Sequence, residues 1–338
     1  MKALSGTLLL AAALCACTRL LPDLPAVQAC VEIRLEGTRL TGVSDADEAR
    51  VARWCVFLAE GERIVTFGTA EGAAPVTGVA VREGTYTLVA LANYPSGLDL
   101  GQFHQLQDLT SYTFPLEDNA RNALMMAGEK SAVVLNAQTG SVSISLDRLC
   151  ARVSVKKVTL DFSSRPVLAA QSFRLQEMYL SNAYARTCLH LPASWSMMPY
   201  GDYLNKRGAV TSTLPLIHET LGVNLSSGSS YTTAHHFYTW PNGTPAGTDA
   251  VNRLSDSWNG HRQTRLVLRA LLGGVSRYYV VDLPDIRRNR LYTIDELILR
   301  GRGSDDPEVP SEEIEVLFST TGPDSWDGAP DYSVTEDA

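Results

Sequence analysis

The chain has 338 residues, of which 45% are hydrophobic, enough for two packed domains at about 150 residues each. Its formal net charge is −8, and it carries no basic block and no interleaving of basic and aromatic residues, which argues against a nucleic-acid binder and against electrostatic attachment to an anionic membrane. The expectation is therefore no nucleic-acid partner.

Lys2 and the apolar run that ends at Leu14-Cys15-Ala16-Cys17 read as a bacterial lipoprotein signal, residues 1–16, cleaved ahead of Cys17 so that its thiol takes the lipid (palmitate among its chains). The run is only about half of the ~20 residues that a spanning helix needs. An ordinary cleaved signal followed by a coincidental cysteine is the competing reading. Cys15 is the poorer acceptor, because Leu14 before it is bulky. The expected location is an outer-membrane lipoprotein precursor, exported from the cytoplasm. Leu20–Pro25 is a short spacer with prolines.

Beyond it, short strand patterns alternate with Gly, Pro, Asn, Asp and Ser. Val27–Leu35 alternates apolar and polar side chains. Trp54–Ala59, Ile64–Phe67, Val76–Val81, Tyr86–Asn93, Ala132–Leu135 and Ser141–Leu146 follow. Ala151–Phe162 reads as one long strand, and then come Phe173–Leu180, Phe237–Trp240, Arg265–Leu272, Tyr278–Leu283, Leu291–Leu299 and Ile314–Ser319. Helix is scarce, with short candidates at Gly101–Asp108 and Asn119–Met126. Thr187–Tyr231 is the least patterned stretch and reads as long loops. Many strands at short spacing predict an all-β chain of antiparallel β-sandwiches, with a boundary near Asp147–Arg152. Cys30, Cys55, Cys150 and Cys188 fall in apolar segments and read as buried free thiols, with one bridge left open.

Catalytic and metal chemistry is not signalled. The six histidines form no His-Glu-x-x-His pair, and adjacent His235 and His236 point to opposite faces of a strand. There is no Gly-x-Ser-x-Gly elbow, no P-loop and no dinucleotide fingerprint; Gly301-Arg302-Gly303 reads as a turn. The expectation is no enzyme, no cofactor and no metal.

The two ends of the chain look alike. Val31, Ile33 and Leu35 form an i, i+2, i+4 apolar face, and so do Ile314, Val316 and Phe318. Gly37-Thr38-Arg39-Leu40-Thr41-Gly42 follows the first and runs into the acidic Ser44-Asp45-Ala46-Asp47-Glu48, so Arg39 is expected on an exposed, cleavable loop. Arg50 and Arg53 abut the next strand and are poorer cleavage sites. Cutting after Arg39 would let the first strand leave, and a matching strand of another molecule could fill the groove by β-augmentation.

These features resemble the fimbrillin family, the shaft subunits of type V pili. Residues 39–58 look like the family's processed junction, and Gly84–Asn93 resembles its Leu-Val-x-x-Ala-Asn strand. Leu124–Glu129 is similar to its Met-rich turn, and Arg148–Val153 to the opening of its second domain. Phe237–Asn242 looks like its aromatic-Pro-Asn element; residues 288–292 and 301–307 resemble its closing strand and turn. The resemblance implies two transthyretin-like β-sandwich domains at 40–148 and 149–338, and a lipidated segment 17–39 bearing the removable strand. It implies lipid-anchored export, an Arg-specific protease, and polymerisation with other pilus subunits through a donated C-terminal strand, serving adhesion in a cell-surface fimbrium. Beyond Trp326 the end is polar, so shaft, tip and anchor subunit all stay open. The alternative from another class is a surface lipoprotein that binds glycan along Tyr200, Tyr203, Trp240 and Trp258.

Overall fold

The computed structural model describes residues 28–35, 48, 50–189, 202–243, 262–309, 311 and 313–321. Its first half contains β1 (Gln28–Leu35), β2 (Arg53–Glu60), β3 (Arg63–Glu71), β4 (Val76–Arg82) and β5 (Gly84–Ala92). The chain then leaves the sheet through helix α1 (Leu106–Ser111) and β6 (Thr113–Pro115), and returns as β7 (Met126–Leu135), β8 (Ser141–Ile144) and β9 (Asp147–Arg148). Two sheets result, in the orders β3-β2-β5-β7-β9 and β4-β1-β8. Trp54, Val56, Leu58, Leu88 and Ala90 of the first pack against Val31, Ile33, Val76, Val79 and Val142 of the second.

One glycine sets that packing. In β4 the register with β1 skips between Val79 and Val76, and Gly78 takes φ 73° at the extra position. The bulge lets Val76, Val79 and Val81 all turn inward, where strict alternation would turn Val76 outward. The other face of β2 is buried as well. Cys55 and Phe57 lie beneath the 94–125 excursion, with Phe57 and Phe103 edge to face at 5.8 Å between ring centroids.

The second half contains β10 (Ala151–Val155), β11 (Val158–Leu160), β12 (Phe173–Ser181), β13 (Ala183–Tyr184), β14 (Arg186–Cys188), β15 (Tyr203–Leu204) and β16 (His218–Leu225). β17 (Ser230–Tyr231), β18 (His235–Thr239), β19 (Arg265–Leu272), β20 (Val275–Asp282), β21 (Leu291–Leu299) and β22 (Ile314–Thr321) complete it. Here the sheet β16-β12-β19-β20 faces a sheet in which β10 and β11 lie between β18 or β17 and β21.

The two halves share a connectivity that their sequences hide. β12 pairs with β16 and β19, and β19 with β20, just as β2 pairs with β3 and β5, and β5 with β7. β10 runs antiparallel to β18 and parallel to β21; β1 runs antiparallel to β4 and parallel to β8. The expected antiparallel pairing thus holds apart from the parallel ladders made by these central strands. β22, antiparallel to β21, has no counterpart among the described residues of the first half. The halves are tied by the pairing of β6 with β14 and by a bond from Asn289 Nδ2 to Asp147 at 3.0 Å.

Four predicted elements differ. Gly101–Asp108 is not one helix, because a 3-10 turn at Leu100–Gln102 ends in extended backbone at Phe103 and α1 starts only at Leu106. The long strand at 151–162 divides into β10 and β11, since β21, its partner throughout, pairs up to Val155 and again from Val158. Asn119–Met126 is not a helix. Asn119 Oδ1 accepts the Met125 amide at 2.8 Å, an Ala120–Ala123 bridge forms, and Met126 already starts β7. Within the stretch read as loops lies the eight-residue β16, whose Leu221, Val223 and Leu225 pack on the core at alternate positions.

At Gly128 a Cβ atom would stand 1.9 Å from the Ser145 carbonyl oxygen, which is backbone and cannot swing aside. Gly128→Ala is therefore expected to cost about 1–3 kcal/mol of stability, measured by urea denaturation.

Candidate functional site

β1 is the central strand of its sheet. It pairs with β4 from Gln28↔Arg82 to Ile33↔Val76, and with β8 from Glu32↔Ser141 to Leu35↔Ile144. Val31 is 1% and Ile33 0% exposed, while Leu35 packs half-buried on the same cluster. Glu32 and Arg34 occupy the outer face, paired at 2.8 Å. At about 1.5–3 kcal/mol for each fully buried side chain, Val31 and Ile33 together with the two ladders make β1 a substantial part of this core. Among the described residues β4 and β8 pair with β1 alone. The place of β1 is thus a slot with a hydrogen-bonding wall on each side and an apolar floor that includes Trp54, Val56 and Leu58.

β22 sits differently. Its eight residues pair with β21 from Leu299↔Ile314 to Leu291↔Thr321, with a bulge at Asp295. Ile314, Val316 and Phe318 lean on the core, and Phe318 lies 6.3 Å from the Tyr292 ring. Leu317 points outward at 42% exposure. The outer face is tied by Arg300 to Glu315 at 2.7 Å and by Ser319 to Asp295 at 3.1 Å. Among the described residues β22 has a partner on one side only, so its far edge is an unpaired backbone row. β1 and β22 belong to different sheets, and no ladder joins them.

Glu48, the last residue of the acidic run that follows the Arg39 loop, is buried. Its carboxylate accepts from Arg152 Nη1 at 2.7 Å and from the Tyr238 hydroxyl, and its carbonyl oxygen accepts from Arg148 Nε at 3.3 Å. Burial, and then the Glu48 charge, push the Tyr238 hydroxyl far above its ordinary range and keep it a donor. Arg121 stacks over the Tyr238 ring at 5.9 Å and pairs with Glu219. These partners lie about a hundred residues or more along the chain, so no local pattern announces them.

Cys17 and Arg39 lie outside the described residues, as do Tyr200 and Trp258. Tyr203 and Trp240 are corrected from exposed to buried. Trp240 is 0% exposed, and Tyr203 stacks on Tyr184 at 4.7 Å, so neither lines a surface groove. Cys55 and Cys150 are free and buried, and Cys188 is half-buried. Burial pushes the Cys150 thiol up to about 12, which keeps it protonated and unreactive. Among the described residues no three His, Cys, Asp or Glu side chains cluster as metal ligands, and no helix is long and apolar enough to cross a membrane.

The sequence matches no family model and no curated protein. Solved structures do share the fold. A Bacteroides eggerthii protein proposed to act in cell adhesion superimposes with a TM-score of 0.63 at 19% identity, covering 88% of this chain and 96% of its own. A fimbrilin of Porphyromonas gingivalis gives 0.60 at 15% identity, over 87% of this chain and 97% of its own. The tip fimbrial protein Mfa3 of the same organism, with a C-terminal truncation, gives 0.53 at 13% identity, over 87% and 99%. The chain has the all-β fimbrilin fold.

Because Ile33 is wholly enclosed by the floor of the slot, Ile33→Ala is expected to cost about 2–5 kcal/mol in urea denaturation of the uncut chain. Leu35→Ala, at the half-buried end of β1, should cost clearly less.

Proposed function

We propose that this chain is a fimbrillin-family subunit of a cell-surface pilus, a structural and adhesive protein and not an enzyme. It is exported as an outer-membrane lipoprotein through Cys17, cut after Arg39 by an Arg-specific protease, and joined to further pilus subunits by donor-strand exchange. In this reading residues 40–148 and 149–338 are its two sandwich domains. β1, with Val31, Ile33 and Leu35, is the strand released. β22, with Ile314, Val316 and Phe318, is the strand donated.

The observation that carries the reading is the position of β1. It is the first described strand of the chain, yet it fills the middle of a sheet that has no other connection between its flanking strands. Its loss would leave two facing unpaired edges and an open apolar floor, which an extended strand with alternating apolar side chains fits. β22 has that alternation, a length equal to that of β1, and in its own sheet a ladder on one side only. Moving from a one-sided to a two-sided ladder favours exchange once the slot is vacant. The fold likeness to fimbrilin agrees with this reading.

A tip subunit, which receives a strand without donating one, is the second reading, favoured by the likeness to Mfa3. Anchor subunits keep their first strand.

Arg39→Ala is expected to leave a monomer with β1 in place, seen by gel filtration and N-terminal sequencing after treatment with an Arg-specific protease. Fibres built from uncut Arg39→Ala protein would refute the switch. Val316→Asp/Phe318→Asp places unpaired charges on the donor face. The double variant should still be cut, should form no polymer alone, and should shorten wild-type fibres when mixed in, because its slot still accepts a strand while its own strand cannot donate. Fibre length by electron microscopy reads this out, with circular dichroism confirming that the monomer is folded. Normal homopolymers of the double variant would overturn β22 as the donated strand, whereas cleaved wild type that forms no homopolymer would shift the assignment to the tip or anchor reading.

A further inference from the structure

We propose that Glu48 is a carboxylate pin that fastens the chain ahead of β2 to the second half of the molecule, and so limits how far the N-terminal segment can be cut or peeled away. The side chain is 2% exposed, and its charge is met by Arg152 of β10 and Tyr238 of β18, with Arg148 of β9 on its carbonyl. A buried carboxylate is costly unless paired and hydrogen-bonded, so these contacts form a built site and not a chance surface pairing.

A second clamp follows within five residues. Asn93, at φ 56° just after β5, accepts the Ala52 amide on Oδ1 at 2.8 Å. Its Nδ2 donates to the carbonyls of Arg50 and Leu124, both at 2.8 Å. Glu48 is therefore held by the second half, and the backbone at Arg50 and Ala52 by Asn93 of the first half. β2 begins at Arg53, and Gly72 N donates to the Ala52 carbonyl at 2.8 Å.

A protease must draw several residues around the scissile bond into an extended strand, so cleavage follows local opening more than side-chain exposure. Arg50 is exposed, so exposure alone does not protect it from an Arg-specific protease. With Glu48 two residues upstream and its own carbonyl held by Asn93, the Arg50 bond is withheld. Cleavage is thereby confined to chain ahead of the pin, and the cut chain stays fastened at Glu48 on Arg152 and Tyr238. The use of the pin rests on the proposed processing at Arg39; the pin itself rests on the contacts alone.

The test is a time course of cleavage of the full chain by an Arg-specific protease, with N-terminal sequencing, in wild type, Glu48→Gln, Tyr238→Phe and the double variant. Wild type should be cut after Arg50 far more slowly than after Arg39. Each single variant should speed the Arg50 cut about tenfold or more, with unchanged circular dichroism and unchanged cutting after Arg152 and Arg269 inside the sheets. The gain in the double variant should fall short of the two single gains combined, because both changes act at the one Glu48 carboxylate. Equal Arg50 rates in all four proteins, or wild-type cutting after Arg50 as fast as after Arg39, would overturn the pin. So would variants cut at every arginine together, which marks global unfolding. If Arg39 is never cut but the variants open Arg50, the pin stands and the processing reading falls.

Discussion

The double ladder of β1 is the interaction on which the first pair of sheets depends. β4 and β8 have no hydrogen-bonded partner but β1 among the described residues, so the β4-β1-β8 sheet exists only while its middle strand is present. Backbone donors and acceptors at a buried edge must be satisfied, and apolar floor left open to water is a hazard. A chain that stakes half of a sandwich on its first described strand either holds that strand permanently or arranges for an equivalent to arrive.

The second half shows what the permanent solution looks like. There the same central place, antiparallel to one neighbour and parallel to the other, is taken by β10 and β11. That strand is embedded in the chain, with β9 and the β6–β14 tie before and after it, so it cannot leave without unravelling its surroundings. The shared connectivity therefore produces two slots of one design that differ in where the occupant lies along the chain. In one the occupant is internal; in the other it stands at the outer end of the described chain. The additional strand β22 appears beside the internal version, where it covers the far side of β21.

Strands rich in apolar and β-branched residues between turn signals were legible from sequence. Leu291–Leu299 appears with the very bounds read from its pattern, and Ile314–Ser319 within a strand two residues longer. The legible part ends where one residue changes the rule. Gly78 inserts a position and keeps Val76 and Val79 on one face, and an Asn side chain at 119 replaces a helical turn by capping the Met125 amide. β16 escaped because Gly222, at φ 72°, and Asn224 read as loop residues, although Leu221, Val223 and Leu225 already alternate. Of the candidate site, the apolar faces of β1 and β22 were visible in the pattern. The burial of Glu48 was not, since Arg148, Arg152 and Tyr238 reach it only through the fold.

The slot around β1 also has mechanical character. A strand bonded along both flanks, antiparallel to β4 and parallel to β8, resists a pull along its own axis in shear, with all its rungs loaded together. A strand bonded along one flank and pulled sideways peels, and its rungs fail one after another. In a fibre whose subunits are joined by strands lying in such slots, tension would run along those strands and meet the shear geometry. The joints would then hold against drag without a covalent link between subunits.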